Sequence, residues 1–211
     1  MKNIIIIFSF CLLNFDLFSQ ESLKIPTIEL GLGVNHLTKF NDVDTKIGFG
    51  LSVKRIWFPE KKINLISGLI FEKTKYFDDY VQCGQYCNYR DMKFNIYSFS
   101  IPLMLRANIG KIYKIFLETG PAFEIVPFKY GKGIEVTYPP MSSIVENEIS
   151  GDFEHDLTDF GVNVGLGFIF PVNNLKLIFG STYHNSIKAL TQKKHNEFSE
   201  YFTLRLGVLI N

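Results

Sequence analysis

The chain contains no apolar run long enough to cross a bilayer as a helix. Its one sustained stretch, Ile4 to Leu13, falls well short of the roughly 20 residues such a helix needs. It also lacks an excess of one charge, with 22 Lys and Arg against 21 Asp and Glu, so nothing favours nucleic acid as a partner. Cysteine is scarce at three. Cys11 lies inside the apolar run and is followed by Leu12 and Leu13, whereas a lipidated cysteine would close such a run, and no recognised lipidation motif is present. No nucleophile, base and orienting acid stand at a motif-like spacing.

The start of the chain reads as an export signal: Lys2, the apolar run, then Phe18-Ser19-Gln20, with a cut expected after Ser19. Residues 1–19 are therefore set apart as a signal peptide and residues 20–211 as one domain. Losing Lys2 and Asp16 leaves the net charge at +1. Export to an oxidising compartment makes Cys83 and Cys87 a candidate disulfide.

From Lys24 onward, eight segments alternate apolar and polar residues with period two. Ile28, Leu30, Leu32 and Val34 oppose Glu29, Gly31, Gly33 and Asn35. Later segments fall near Thr45–Phe58, Ile63–Tyr76, Phe94–Asn108, Tyr113–Phe128, around Asp159–Phe170, and near Leu175–His184 and Glu200–Asn211. The cleanest sets Phe160, Val162, Val164, Leu166, Phe168 and Phe170 against Gly161, Asn163, Gly165 and Gly167. The weakest is the third, because Ile66 and Ile70 fall on its polar side. Pro102 and Pro121 cannot donate to a ladder, so a bulge or local break is expected at each.

Eight such strands suit either a soluble lipocalin-like barrel, apolar inside, or a membrane barrel, apolar outside. The polar face carries Glu29, Lys54, Glu72, Arg106, Glu118, Glu124, Asp159, Lys176 and Arg205. Facing lipid near the midplane, each basic residue would cost about 2–4 kcal/mol. Connectors alternate tight (Pro59–Lys62, Ile109–Ile112, Pro171–Asn174) and long, and Trp57, Phe58, Tyr113 and Phe170 flank the tight ones as an interfacial girdle would. The expectation is an all-β, eight-stranded antiparallel up-and-down transmembrane β-barrel in the cell outer membrane. Both termini then lie in the periplasm, and the charged set forms a lumen network.

Gly68-Leu69-Ile70-Phe71, Ile101-Pro102-Leu103-Met104-Leu105-Arg106 and Gly120-Pro121, in this order behind a signal peptide, resemble the PorT-like outer-membrane β-barrel proteins of Bacteroidota. The resemblance implies location and scaffold. It supplies no catalytic residues.

Function is then expected in the long connectors. Phe77–Asp91 places Tyr80, Tyr86 and Tyr89 around the cysteine pair as a candidate extracellular contact surface or as rim cover. Lys129–Asp156 is acidic and Ile187–Ser199 basic, and the two are expected to pair. His36, His155, His184 and His195 all fall near the predicted exterior rim, which raises a metal or haem reading and, with Ser181 or Ser186, a lipid-hydrolase reading. The favoured expectation is a non-enzymatic scaffold without metal or cofactor, surrounded by outer-membrane lipid and meeting a partner protein or surface ligand through its loops. A narrow channel and a lipid-modifying enzyme are the alternatives.

Overall fold

The computed structural model describes residues 27–39, 44–140, 143–153, 157–189 and 200–210. The expected signal peptide, His155, His195 and most of the basic connector lie outside the described residues. Nine strands form one antiparallel sheet: β1 Thr27–Lys39, β2 Asp44–Trp57, β3 Ile63–Gly84, β4 Cys87–Ile109, β5 Lys114–Thr137, β6 Val145–Phe153, β7 Leu157–Val172, β8 Leu175–Ala189 and β9 Glu200–Ile210. The order runs β4-β3-β2-β1-β9-β8-β7-β5, and a β4–β5 pairing returns it to its start. β6 stands outside this ring and pairs with the far half of β5, from Lys129↔Phe153 to Thr137↔Val145.

Every strand of the ring buries polar residues and exposes apolar ones. On β1, Glu29 is 0% exposed and Leu32 is 61% exposed. The period-two pattern fixes this split, because neighbouring side chains leave a strand on opposite faces. Leu51, Leu105, Leu117, Leu166 and Leu206 repeat the outward placement on other strands.

The tight connectors gather at one end of the ring. Phe58 takes a positive φ of 57°, Lys61 N–H donates to the Phe58 carbonyl at 3.0 Å, and Asn64 donates to the Phe58 and Lys61 carbonyls. Gly110, at φ 107°, turns where an added Cβ would strike the Tyr113 carbonyl. Asn173, at φ 54°, makes the third turn and tolerates that conformation as few side chains do.

Three expectations need correction. Among the described residues there are nine strands where eight are expected, because β6 forms within the supposed connector Lys129–Asp156. The connector Phe77–Asp91 is likewise mostly strand: β3 and β4 continue to a two-residue turn at Gln85 and Tyr86. Third, the interior is not polar throughout. Ile56, Ile66, Met104, Phe116, Ile169, Ile178 and Leu209 pack into an apolar floor at the tight-turn end, which is where Ile66 finds its place. The local breaks expected at Pro102 and Pro121 are present as interrupted ladder pairs with an unchanged register: β3–β4 pairing skips from Ser67↔Leu103 to Ile70↔Ser100, and β4–β5 from Pro102↔Ala122 to Leu105↔Thr119. The register shift in β5 lies instead around Pro127, between Ile125 and Phe128. Gly120 sits at the interrupted stretch, where an added Cβ would collide with the Leu103 carbonyl.

Candidate functional site

Above the apolar floor, five side chains from five strands converge. Arg106 of β4 donates from Nε to Glu118 Oε2 at 2.9 Å and from Nη2 to Glu29 Oε2 at 2.6 Å. Arg205 of β9 sets Nη2 2.5 Å from Glu118 Oε1 and Nε 3.8 Å from Glu29 Oε1. Lys54 Nζ of β2 stands 3.7 Å from Glu29 Oε1. The Phe116 ring lies beneath both guanidinium groups, at 4.3 Å from Arg106 and 5.5 Å from Arg205. All five are essentially buried. Three cations face two carboxylates, so the cluster is self-compensating to within one charge, which offsets much of the cost of burying it.

One level further from the tight turns lies a second polar layer. Thr203 donates to Glu72 at 3.1 Å, and Tyr201 donates to Glu124 at 3.3 Å. His184 shares a 2.7 Å hydrogen bond with Asn163, stacks on the Tyr201 ring at 4.6 Å and holds Nε2 3.7 Å from Glu124. Between the layers remains a cavity of about 30 Å³ bordered by Lys54, Glu72, Asn163, Tyr201, Thr203 and Arg205. That is room for about one or two waters.

The expected charged set thus divides. Glu29, Lys54, Arg106, Glu118 and Arg205 meet directly; Glu72 and Glu124 sit in the second layer. Lys176 is exposed, because it lies at the start of β8 beyond the floor residue Ile178. The Asp159 side chain lies outside the described residues. Phe116 and Tyr201 are partners of these charges that the sequence alone does not single out, and Asn163 bonds to His184. Parity marks Phe116 and Asn163 as inward, but only the fold says whom they meet.

The histidines do not form a cluster among the described residues. His184 is fully buried inside, whereas His36 is exposed on β1 in the register of the outward Leu32 and Val34. Ser181 lies on the opposite face of β8 from His184, and Ser186 is buried. Ser181, half-buried on the outward face, is therefore out of reach of the inward His184, and Ser186 is closed off from a substrate outside.

Beyond the ring, β3, β4, β5 and β6 continue as a four-stranded extension with its own small core of Tyr76, Met92 and Phe94, against which Tyr89, Ile149 and Phe153 pack. Cys83 and Cys87 are joined by a disulfide across its tip, and Tyr138 N–H donates to the Tyr86 carbonyl at 2.8 Å. Glu135 approaches Cys87 Sγ at 3.5 Å. Cys83, Cys87 and Glu135 could group around a metal, but with the sulfurs bonded to each other only one carboxylate remains to ligate. Tyr80 and Tyr86 are 60% and 50% exposed. Tyr89 is half-buried, and its ring meets Phe153 edge-on at 5.8 Å. Glu146 of the acidic connector pairs with Arg90 of β4 at 3.3 Å, and the expected pairing with the basic connector falls on residues outside those described.

No protein-family model and no curated protein sequence matches the chain. Among solved structures, it is similar to the attachment invasion locus protein Ail of Yersinia pestis, at 13% identity over 87% of this chain and 95% of that one, with a TM-score of 0.40. It is also similar to Neisserial surface protein A, at 12% identity over 90% and 99% with a TM-score of 0.45. A third likeness is to a major outer membrane protein from Thermus thermophilus, at 13% identity over 88% and 99%, also with a TM-score of 0.45. Likenesses this distant assign no function, and the site is defined by the geometry of this chain alone.

Proposed function

We propose that this chain is an outer-membrane β-barrel whose filled interior serves stability and whose β3–β6 extension meets a protein partner or surface ligand outside the cell. The observation that carries the reading is the inverted burial: a closed ring of strands with leucine, valine and phenylalanine outward and Glu29, Lys54, Arg106, Glu118 and Arg205 inward. Water outside would penalise that surface, whereas lipid favours it. Trp57, Phe58 and Tyr113 at the tight-turn end fit an interfacial girdle, so that end, with the start of β1 and the end of β9, faces the periplasm. The PorT-like motifs support the same placement.

The interior argues against conduction. An apolar floor, a paired charge layer and a cavity of about 30 Å³ fill the interior among the described residues, which supports a scaffold over a channel. Its contact residues are Tyr80 and Tyr86, rigid amphipathic side chains exposed on a stapled hairpin.

Membrane fractionation and crosslinking of the intact protein in its native envelope test both halves. Recovery in the outer membrane is expected, together with a crosslinked species that disappears in Tyr80→Ala/Tyr86→Ala. Recovery in a soluble fraction refutes the location; an unchanged crosslink pattern in the double variant refutes the contact surface. Steady single-channel conductance of the wild-type protein in planar bilayers would return the channel reading.

A further inference from the structure

Immediately beyond the outward apolar wall, on the side of the ring formed by β2 to β5, the surface turns cationic. Phe49, Phe71 and Phe99 are among the last residues of the wall, with Phe71 and Phe99 in contact at 5.1 Å and Phe71 and Tyr97 stacked at 6.3 Å. The next steps along the same face carry Lys73 and Lys75 of β3, Lys46 of β2, Lys93 of β4 and Lys132 of β5. Lys46 stands directly opposite Lys75 in the register, and Lys93 directly opposite Lys132. Like charges facing each other across two strands repel. Among the described residues, none of the five lies within ion-pair distance of a carboxylate. The nearest carboxylates in the register are Asp152 and Glu148, on either side of Ser150 opposite Lys132, and Asp44, opposite Phe77; Asp79 and Asp91 come further out.

Aromatic rings are threaded through the same patch. Lys73 Nζ lies 5.0 Å from the Tyr97 ring centre and Lys46 Nζ 5.7 Å from that of Phe77, while Phe128 and Tyr130 are exposed beside them. An arrangement of repelling cations with aromatic flanks, in contact below with an apolar wall, matches one kind of ligand: an amphiphile with acyl chains on the wall and an anionic head at the lysines. We propose that this face holds the phosphate-bearing headgroup of an outer-leaflet glycolipid. The proposal rests on the outer-membrane reading for its orientation, since the patch lies at the end opposite the tight turns. Cations near a membrane surface each contribute to binding anionic lipid, and an anion seated between the two lysine pairs removes their repulsion.

The test is native mass spectrometry of the folded full chain in a neutral detergent, titrated with diphosphorylated lipid A, with the same lipid after phosphate removal, and with phosphatidylcholine. Folding of each variant is checked by the heat-dependent shift in electrophoretic mobility. Retention of the phosphorylated lipid is expected, weakened roughly tenfold or more in Lys75→Gln/Lys93→Gln and unchanged in Lys111→Gln at the opposite end. If that double variant does not fold, Lys46→Gln/Lys132→Gln, at two exposed positions, replaces it. Equal retention of the dephosphorylated lipid, or undiminished retention in a folded lysine variant, overturns the proposal. Displacement by millimolar inorganic phosphate would make the site one for free phosphate and also overturn it. Fractionation of the protein away from the outer membrane refutes the location reading instead, and is measured separately from lipid retention.

Discussion

Arg106 and Glu29 lie 77 residues apart in the chain yet meet at 2.6 Å inside the ring, with neither side chain exposed. Each arrives from a strand on a different side of the interior, so the pair is a tie across the barrel as well as an electrostatic contact. Removing one partner from a buried pair leaves an uncompensated charge, which costs about 3–5 kcal/mol. Glu29→Gln, which raises the excess of the cluster from one positive charge to two, is expected to lower unfolding stability by that order; Arg106→Gln, which leaves two cations against two carboxylates, should cost less, and the double variant less than the sum. Urea titration of protein refolded in detergent measures this; single losses below about 1 kcal/mol would mean that the network contributes little.

Phe116 joins the apolar floor to the charge layer, since its ring packs with Ile66 and Met104 while lying under Arg106 and Arg205. Phe116→Ala should cost about 3–5 kcal/mol, as large-to-small changes in well-packed interiors do. Phe116→Leu should recover the packing share and forfeit the cation–π share. A midpoint for Phe116→Leu no higher than that for Phe116→Ala would contradict this division.

Two glycines separate close approach from mere presence. At Gly120 an added Cβ would strike the Leu103 carbonyl, whereas at Gly84 nothing lies within 4 Å. Gly120→Val is expected to abolish the compact, fast-migrating form on unheated gels and Gly84→Ala to retain it. Equal behaviour of the two would remove steric approach as the reason for the glycine in the Gly120-Pro121 motif.

Reducing the Cys83–Cys87 bond removes a constraint worth about 2 kcal/mol on the chain-entropy estimate. The disulfide lies at the hairpin tip, beyond the small core of Tyr76, Met92 and Phe94, so the effect should stay local. Hydrogen exchange is expected to quicken across residues 80–90 while the amides of β1, β7 and β9 keep their protection. Loss of protection in the ring on reduction would show the two parts to be coupled.

How far the sequence reveals this fold depends on which solvent each strand face meets. On β7, Phe160 to Phe168 alternate against Gly161 to Gly167 along one unbroken rule, because lipid lies outside and a crowded interior inside for the whole span. On β4 the rule inverts: Tyr97, Phe99 and Leu103 mark the outward face, but Met92 and Phe94 are buried on the inward one. That inversion makes the far halves of β3 and β4 read as connector. Ile66 and Ile178 break the pattern at the other end for a related reason, since the floor needs apolar residues at inward parity. Parity alone locates Glu29, Lys54, Arg106, Glu118 and Arg205, whereas their convergence depends on strand order and stagger. The outward lysines are illegible to period-two reading, which treats a charge on the apolar face as noise, and only the register sets Lys46 against Lys75.

The strand that closes the ring is also the one that brings Arg205. Until β9 docks against β1, Glu118 has Arg106 but lacks its 2.5 Å partner from β9, and the interior carboxylates remain open to water along the unsealed side. Bringing together segments more than 170 residues apart, as in Ile28↔Ile210, is slow relative to forming the neighbouring hairpins. Seam closure and completion of the charge layer are thus linked, and a chain stopped before closure holds a hydrated opening in which Glu118 lacks one of its two guanidinium partners.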